Sequence, residues 1–167
     1  MTHDELIVEF DRPVEEVFAY VDDDDKVKQW VGGLIETKRT TPGQPGVGSK
    51  FHQKLQVGKR IFEIDGELLA YEPNRRVEVS LDAAGMCDME VTYTFEEING
   101  RTRLTYTCDS YYRKLIYRLL SPITRRMARR KLEEDFARLK ALLSAQPHSS
   151  PVSTVGLVNS TNMPEHA

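Results

Sequence analysis

Alternating apolar and polar residues predict seven β-strands along most of the chain. In the first, at 6–10, Leu6, Val8 and Phe10 share one face. The other six are expected at 34–40, 49–57, 61–71, 76–82, 88–97 and 101–110. Turn residues separate most of them, including Gly58-Lys59, Pro73-Asn74, the stretch 83–85 and Asn99-Gly100. Alternation of this kind indicates an antiparallel sheet with one buried and one solvated face.

The inward face of this sheet is expected to be mainly apolar. The predicted inward residues of the middle strands are Phe51, Gln53, Leu55, Val57, Phe62, Ile64, Leu68, Ala70, Val77, Val79 and Leu81. Those of the last two strands are Met89, Val91, Tyr93, Phe95, Leu104, Tyr106 and Cys108. One of the side chains on the opposite, outer face is expected to be His52.

Helical spacing of apolar residues predicts two short helices after the first strand and a long one at the end. Residues 14–21 repeat apolar positions at i, i+3, i+4 and i+7 behind Arg12-Pro13, and a second helical turn is expected at 26–30. Near the C-terminus we expect an amphipathic piece at 111–120. Ser121-Pro122 then predicts the start of the main helix at 122–143. Its apolar stripe comprises Ala128, Leu132, Phe136, Leu139 and Leu143.

This order of elements predicts an α+β fold, in which a curved antiparallel sheet of about seven strands wraps around the long C-terminal helix. We expect one domain at residues 3–144. A disordered tail is predicted at 145–167, because this segment is rich in Pro, Ser, Asn and Thr and has no helix or strand period. A curved sheet covered by a single helix commonly leaves an internal cavity.

Composition is that of an ordinary globular domain. The chain has 167 residues, of which 40% are hydrophobic and 29% charged, with a mean hydropathy of -0.49. No apolar run approaches the length of a membrane span. The first nine residues lack a basic region, and two cysteines are too few for a disulfide scaffold. We therefore expect a cytoplasmic protein.

Charge is distributed unevenly, although the net charge is only -3. Residues 113–144 contain 10 basic and 3 acidic residues, whereas residues 1–112 contain 13 basic and 22 acidic residues. One interpretation is a surface for an anionic membrane or an acidic partner, formed by Arg125, Arg126, Arg129 and Arg130. The other is a solvated helix face that balances the acidic strands of the same domain. We expect no nucleic-acid partner.

Several stretches resemble a known superfamily. They are Arg12-Pro13-Val14-Glu15-Glu16-Val17-Phe18, Lys28-Gln29-Trp30, Gly46-Val47-Gly48-Ser49, Tyr71-Glu72-Pro73-Asn74 with Arg76-Val77, and the helix residues 132–140. Together they are similar to the START-like or Bet v 1-like helix-grip proteins, especially the bacterial polyketide cyclase/dehydrase and lipid-transport group. The resemblance implies a cavity between sheet and long helix that receives an apolar or aromatic ligand. It carries over no catalytic motif, since the superfamily shares none.

Polar residues on the predicted apolar face are the main candidates for a binding site. Gln53, Tyr93 and Tyr106 need a hydrogen-bond partner there, which a ligand, a water or the backbone could supply. Trp30 is either a lid over the ligand or an anchor for the short helices. Phe62, Met89, Cys108 and Phe136 complete the predicted lining. Met86 and Met127 are candidates for either the lining or the core.

No pattern of catalytic or metal-binding residues is present. The histidines His3, His52, His148 and His166 form no metal-ligand motif, so we expect no metal and no cofactor. Cys87 and Cys108 lack a readable basic partner. The acidic run at 22–25 lacks the alternation and the glycine of a calcium loop and is interpreted as a turn with a helix-capping Asp.

The leading hypothesis is a carrier or sensor that binds a small hydrophobic ligand such as a lipid, a polyketide or a quinone-like molecule. A second is a polyketide cyclase or dehydratase, which requires ionisable groups that converge in the cavity. In that case Tyr93 or Tyr106 would act as a weak acid. A third is a protein-interaction module that acts on a larger complex, in which the cavity is incidental; a filled core would favour it.

Overall fold

The fold is a seven-stranded antiparallel sheet whose one face is covered by a long C-terminal helix. The computed structural model of the chain describes residues 1–147, and residues 115–121 of these as backbone alone. The elements are β1 (Thr2–Phe10), α1 (Val14–Asp22), α2 (Asp24–Trp30), β2 (Leu34–Arg39), β3 (Lys50–Val57), β4 (Arg60–Glu72), β5 (Arg76–Ala83), β6 (Cys87–Ile98), β7 (Arg101–Tyr112) and α3 (Leu115–Ala145). The predicted helix-grip fold class is confirmed. The expected tail lies almost wholly outside the described residues.

The sheet has the strand order β1-β7-β6-β5-β4-β3-β2. Strands β2 to β7 therefore follow one another as hairpins, and α1 and α2 carry the chain from one edge strand to the other. The predicted Asn99-Gly100 turn has positive φ at both residues, 55° and 76°, as a two-residue hairpin turn of type I′ requires. Local turn chemistry thus sets the register of the long β6–β7 pair, in which Tyr93 lies opposite Tyr106.

Two irregularities bend the sheet around the helix. The register shifts within β2, and it shifts again in β4 between Leu68 and Ala70. Because of the second shift, Ala70 lies opposite Glu78 and Tyr71 opposite Val77. The prediction that Ala70 faces inward is therefore wrong, and Tyr71 takes its place against the Phe18 ring.

On the concave face of the sheet, the middle of β4 packs closely against β3. Gly66 pairs with Phe51, and a Cβ atom at Gly66 would lie 2.2 Å from the Phe51 ring. A side chain at this position would therefore displace the ring. The main core lies between the concave face, α1 and the second half of α3, where Phe10, Phe136 and Leu139 are almost fully buried.

The C-terminal helix differs from its prediction. Strand β7 continues through Tyr112, and α3 then runs from Leu115 without a break at Pro122. The expected helical piece at 111–120 is confirmed from Leu115 onward and wrong at Tyr111 and Tyr112, and the expected start of the main helix at Pro122 is wrong. Pro122 removes one backbone hydrogen bond, but the helix continues on both sides of it.

A buried arginine holds the far end of α3. Arg12 is 4% exposed and donates hydrogen bonds to the carbonyl oxygens of Gln146 and Pro147. Its own carbonyl accepts a 2.7 Å bond from Thr102. The guanidinium charge also lies at the negative end of the helix dipole, where a cation is favoured.

The predicted helix-capping Asp is confirmed as Asp23, which separates α1 from α2. Its carboxylate accepts 2.9 Å bonds from the backbone N–H groups of Asp25 and Lys26. These bonds hold the pKa of Asp23 below its ordinary value. The cap fixes the start of the helix that ends at Trp30.

We expect Asp23→Ala to lower the free energy of unfolding by about 1 kcal/mol at neutral pH, because two helix N–H groups lose their acceptor. The folded-state pKa is lowered, so the contribution of the cap is present above pH 3.8 and is lost as the pH falls through the folded-state pKa. Urea unfolding at about pH 7 and about pH 3 measures both effects. Asp25→Ala, which removes an exposed ion pair with Lys28, is the control and should cost less. Equal losses would contradict the capping role.

Candidate functional site

An open pocket of about 530 Å³ lies between the concave face of the sheet and the first half of α3. The ends of β1, β6 and β7 and the β5–β6 turn form its walls, and α3 covers it. The lining is mainly apolar and includes Leu6, Phe62, Ala83, Met86, Met89, Tyr106, Cys108, Ala128 and Leu132. We call this the larger pocket.

One ion pair and two hydrogen bonds to backbone carbonyl oxygens join α3 to β1 over the larger pocket. The Arg125 Nε lies 3.1 Å from each carboxylate oxygen of Asp4, and Arg125 Nη2 lies 2.7 Å from Asp4 Oδ1. Arg125 also donates to the His3 carbonyl oxygen, and Arg129 donates to that of Glu5. The hydrogen bonds to the Asp4 carboxylate raise the pKa of Arg125. These contacts hold the first half of α3 to the edge strand.

A buried carboxylate fixes α3 at the inner end of the larger pocket. Asp135 is 3% exposed and accepts hydrogen bonds from Lys131, Arg138 and the backbone N–H of Gly32. Arg138 also donates a 3.0 Å bond to the Trp30 carbonyl oxygen. The end of α2 is thereby joined to the middle of α3.

A second pocket, of about 140 Å³, lies between α2 and strands β2 to β6. We call it the smaller pocket. Its lining includes Val27, Trp30, Phe51, Gln53, Leu68, Val77, Val79, Leu81, Val91 and Tyr93. The Gln53 amide donates a 3.3 Å hydrogen bond to the Thr37 hydroxyl.

A cluster of hydrogen-bonded and charged side chains lies at the edge of the smaller pocket. No sequence motif indicates it. The Tyr71 hydroxyl donates a 3.0 Å bond to Asp22, and Arg39 donates a 3.0 Å bond to the Asp22 carbonyl oxygen. Arg39 also lies 3.8 Å from Asp24. Burial, followed by the bond to Asp22, raises the pKa of Tyr71 to about 12. The alternation pattern placed Tyr71 outward, so it gave no signal of this cluster.

The predicted site residues are divided between the two pockets. Phe62, Met89, Tyr106 and Cys108 line the larger pocket, together with Met86. Trp30, Gln53 and Tyr93 line the smaller pocket. Phe136 lines neither and is buried between them. Met127, which the sequence left open as lining or core, is 65% exposed.

Aromatic rings connect the two groups of residues. Trp30 stacks on Phe136 with ring centroids 5.3 Å apart, and Phe136 is 6.0 Å from Tyr106. Tyr106 contacts Tyr93 edge-to-face at 5.3 Å. The Trp30 Nε1 donates a 2.8 Å bond to the Tyr20 carbonyl oxygen, which is the arrangement expected of an anchor.

The buried phenols and thiols in the pockets are held in their neutral forms, whereas the Asp4 and Asp135 carboxylates of the larger pocket are ion-paired. Burial raises the pKa of the Tyr93 and Tyr106 hydroxyls and of the Cys87 and Cys108 thiols. The Cys108 Sγ lies 3.6 Å from the Ser110 hydroxyl. The histidines of the described region are remote, because His3 and His52 contact Asp109 and Asp65 on the outer face. No group of metal-binding side chains is found among the described residues.

Most of the basic residues highlighted by the sequence have acidic partners within the domain. Arg125 pairs with Asp4, while Arg129 and Arg130 pair along the helix with Glu133 and Glu134 at 3.1 and 3.2 Å. Arg126 is exposed and has no ion-pair partner among the described side chains. On the same face, Ile123 is 64% and Met127 65% exposed.

Comparison with protein-family models identifies the family to which the chain belongs. Residues 1–144 match the family described as polyketide cyclase / dehydrase and lipid transport, and the chain belongs to that family. The resemblance noted in the sequence is thereby confirmed. No curated protein matches the chain in sequence.

Solved structures share the fold at low sequence identity. A protein from Chromobacterium violaceum has a TM-score of 0.71 at 16% identity over 87% of this chain and 100% of its own. The Zhui aromatase/cyclase from Streptomyces sp. R1128 has a TM-score of 0.72 at 15% identity over 86% of this chain and 93% of its own. Ara h 8.0201 has a TM-score of 0.71 at 10% identity, covering 87% of this chain and 99% of that protein. These similarities establish the helix-grip fold.

We expect both thiols to react slowly in the native protein, because burial raises their pKa and restricts access. Iodoacetamide alkylation at about pH 8 should be at least about tenfold slower than in urea. The native rate should keep rising above pH 9.0, the ordinary thiol pKa. Mass spectrometry of Cys87→Ser and Cys108→Ser separates the two sites. A native rate that levels off below pH 9.0 would contradict the burial effect.

Proposed function

We propose that the protein binds a small hydrophobic ligand, such as a lipid, a polyketide or a quinone-like molecule, in the larger pocket and acts as its carrier or sensor. The observation that supports this most directly is the mainly apolar pocket of about 530 Å³ beneath α3. A ligand there would gain roughly 25 cal/mol per Å² of apolar surface buried, before the costs of association. Ser110, which lines the same pocket, would orient its polar group.

The same pocket gives less support to the cyclase or dehydratase alternative. Its phenol and thiols are held neutral by burial, and its buried carboxylate Asp135 is already paired with Lys131 and Arg138. General acid–base catalysis needs groups whose pKa lies near the working pH. A filled core would favour the interaction module, and the open apolar pocket supports ligand binding instead.

Native mass spectrometry of the purified full-length protein tests the proposed function, followed by denaturing analysis of whatever is released. We expect a lipid-like or polyketide-like mass to co-purify, or the melting temperature to rise with such a compound. An apo mass, with no melting shift across lipids, aromatic polyketides and quinones, would contradict ligand binding and favour the interaction module.

A pocket-filling variant locates the ligand. Ala128 lines the larger pocket from α3, and Ala137 is exposed nine residues later, on the opposite side of the helix. We expect Ala128→Phe to weaken binding of the identified ligand at least about tenfold, because the new ring occupies the ligand's volume. Ala137→Phe is the matched control and should bind normally. Equal affinities, measured by titration calorimetry, would place the ligand elsewhere.

We further propose that the outer face of α3 docks on an anionic membrane from which such a ligand would be collected. Ile123, Arg126, Met127 and Arg130 follow the spacing i, i+3, i+4 and i+7 and therefore lie on one face. Protruding apolar side chains between arginines suit a bilayer interface, where the former insert and the latter contact phosphates. No helix in the described part of the chain has the length and hydropathy to cross the bilayer.

The docking face is tested with vesicles that contain phosphatidylserine. We expect the triple change Ile123→Gln, Arg126→Gln and Met127→Gln to weaken sedimentation with these vesicles at least about tenfold. A matched control makes Ile35→Gln, Lys140→Gln and Ile61→Gln, which remove similar exposed groups elsewhere. Equal loss in both variants, or no vesicle binding by the wild type, would contradict the docking face.

A further inference from the structure

Four aromatic side chains form a continuous layer between the larger and the smaller pocket. They come from four different elements, Trp30 from α2, Phe136 from α3, Tyr106 from β7 and Tyr93 from β6. Each ring contacts the next at centroid distances of 5.3 to 6.0 Å. We call this layer the aromatic partition.

The two sides of the aromatic partition face different pockets. Tyr106 lines the larger pocket, while Trp30 and Tyr93 line the smaller one. The pockets also share strands, because Met89 on β6 lines the larger pocket and Val91, two residues later on the same face, lines the smaller pocket. They are therefore successive parts of one concave surface, interrupted by the rings.

The space beyond the aromatic partition is suited to an extended apolar chain. Its walls are formed chiefly by aliphatic residues of the central strands, namely Leu68, Val77, Val79, Leu81 and Val91. Its charged lining residues are Asp22, Asp24 and Arg39, and the Gln53 amide is already bonded to the Thr37 hydroxyl. A chain that passed the rings would bury further apolar surface.

We propose that Tyr106 sets the maximum length of the ligand, because its ring closes the inner end of the larger pocket. This inference rests on the proposed ligand-binding function and specifies the ligand as one whose apolar part ends at the aromatic partition.

Tyr106 is the member of the aromatic partition that controls passage. Trp30 is fixed by its hydrogen bond to Tyr20, and Phe136 is 1% exposed between the rings of Trp30 and Tyr106. Tyr106 borders the larger pocket directly, and its hydroxyl interacts with the Cys108 thiol. Removal of its ring would therefore join the two pockets without loss of the Trp30–Phe136 stack.

The chain carries its own reporter for this passage. Trp30 is its single tryptophan and lies on the far side of the aromatic partition from the larger pocket. Heavy atoms quench tryptophan fluorescence on contact. A straight-chain alcohol with bromine on its last carbon should therefore quench Trp30 only when the chain end reaches the smaller pocket.

The experiment compares a series of such bromoalcohols, from bromohexanol to bromotetradecanol, in wild type, Tyr106→Phe and Tyr106→Ala. Affinity is read by displacement of 1-anilinonaphthalene-8-sulfonate, and contact by quenching of Trp30. In wild type and Tyr106→Phe, affinity should rise to a plateau with chain length, and quenching should remain weak. In Tyr106→Ala the rise should continue to longer chains, at about fourfold for each added methylene, and strong quenching should appear.

Each outcome has a distinct meaning. Binding with the same plateau and the same quenching in Tyr106→Ala and wild type would overturn the role of Tyr106 and leave ligand binding intact. Strong quenching in wild type would likewise overturn it, because the chain end would already pass the rings. Failure of every alcohol to bind any of the proteins would overturn a ligand with a straight apolar chain, and, together with no melting shift from lipids, aromatic polyketides and quinones, would contradict the proposed function itself. Thermal unfolding checks that Tyr106→Ala folds, and Tyr93→Ala, which opens the partition from its other side, replaces it otherwise.

Discussion

The structure depends on the mismatch between a wide concave sheet and the single helix that covers it. Seven strands present a continuous apolar face, whereas the buried apolar residues among the described side chains of α3 are Phe136, Leu139 and Leu143, in its second half. These residues pack against the core together with α1 and α2. The first half of α3 extends beyond this contact, and the sheet below it is left with an apolar surface that no other described element covers. The larger pocket is a consequence of that geometry.

Polar contacts position the part of α3 that covers the larger pocket. Arg125 is bound to Asp4, and Arg129 to the Glu5 backbone, so the helix is fastened to the edge strand rather than packed on it. At the inner end, the buried Asp135 joins α3 to Gly32. Much of the basic charge of the helix is thus matched by carboxylates of its own domain. Arg126 and its neighbours Ile123 and Met127 remain directed outward.

Sequence pattern predicted the elements well, because strand alternation and turn chemistry are local. The pattern failed where contacts between distant parts of the chain determine the local structure. The bulge in β4 reverses the faces of Ala70 and Tyr71, and no residue in that stretch predicts a bulge. Ser121-Pro122 has the chemistry of a helix start, yet α3 continues through it. The residues expected in one site were almost all directed inward, but their division into two pockets depends on ring contacts between distant elements.

The low polarity of the larger pocket suits ligand binding better than acid–base catalysis. Burial disfavours the charged form of a phenol or a thiol, so Tyr106, Cys87 and Cys108 remain neutral where they face the larger pocket. A neutral hydroxyl can orient a carbonyl or hydroxyl group, but it transfers a proton poorly without a partner of matched pKa. The Asp4 and Asp135 carboxylates that also border the larger pocket are already engaged in ion pairs with Arg125, and with Lys131 and Arg138. The volume that would hold a ligand is therefore bordered by neutral hydroxyl and thiol groups and by carboxylates that already have basic partners.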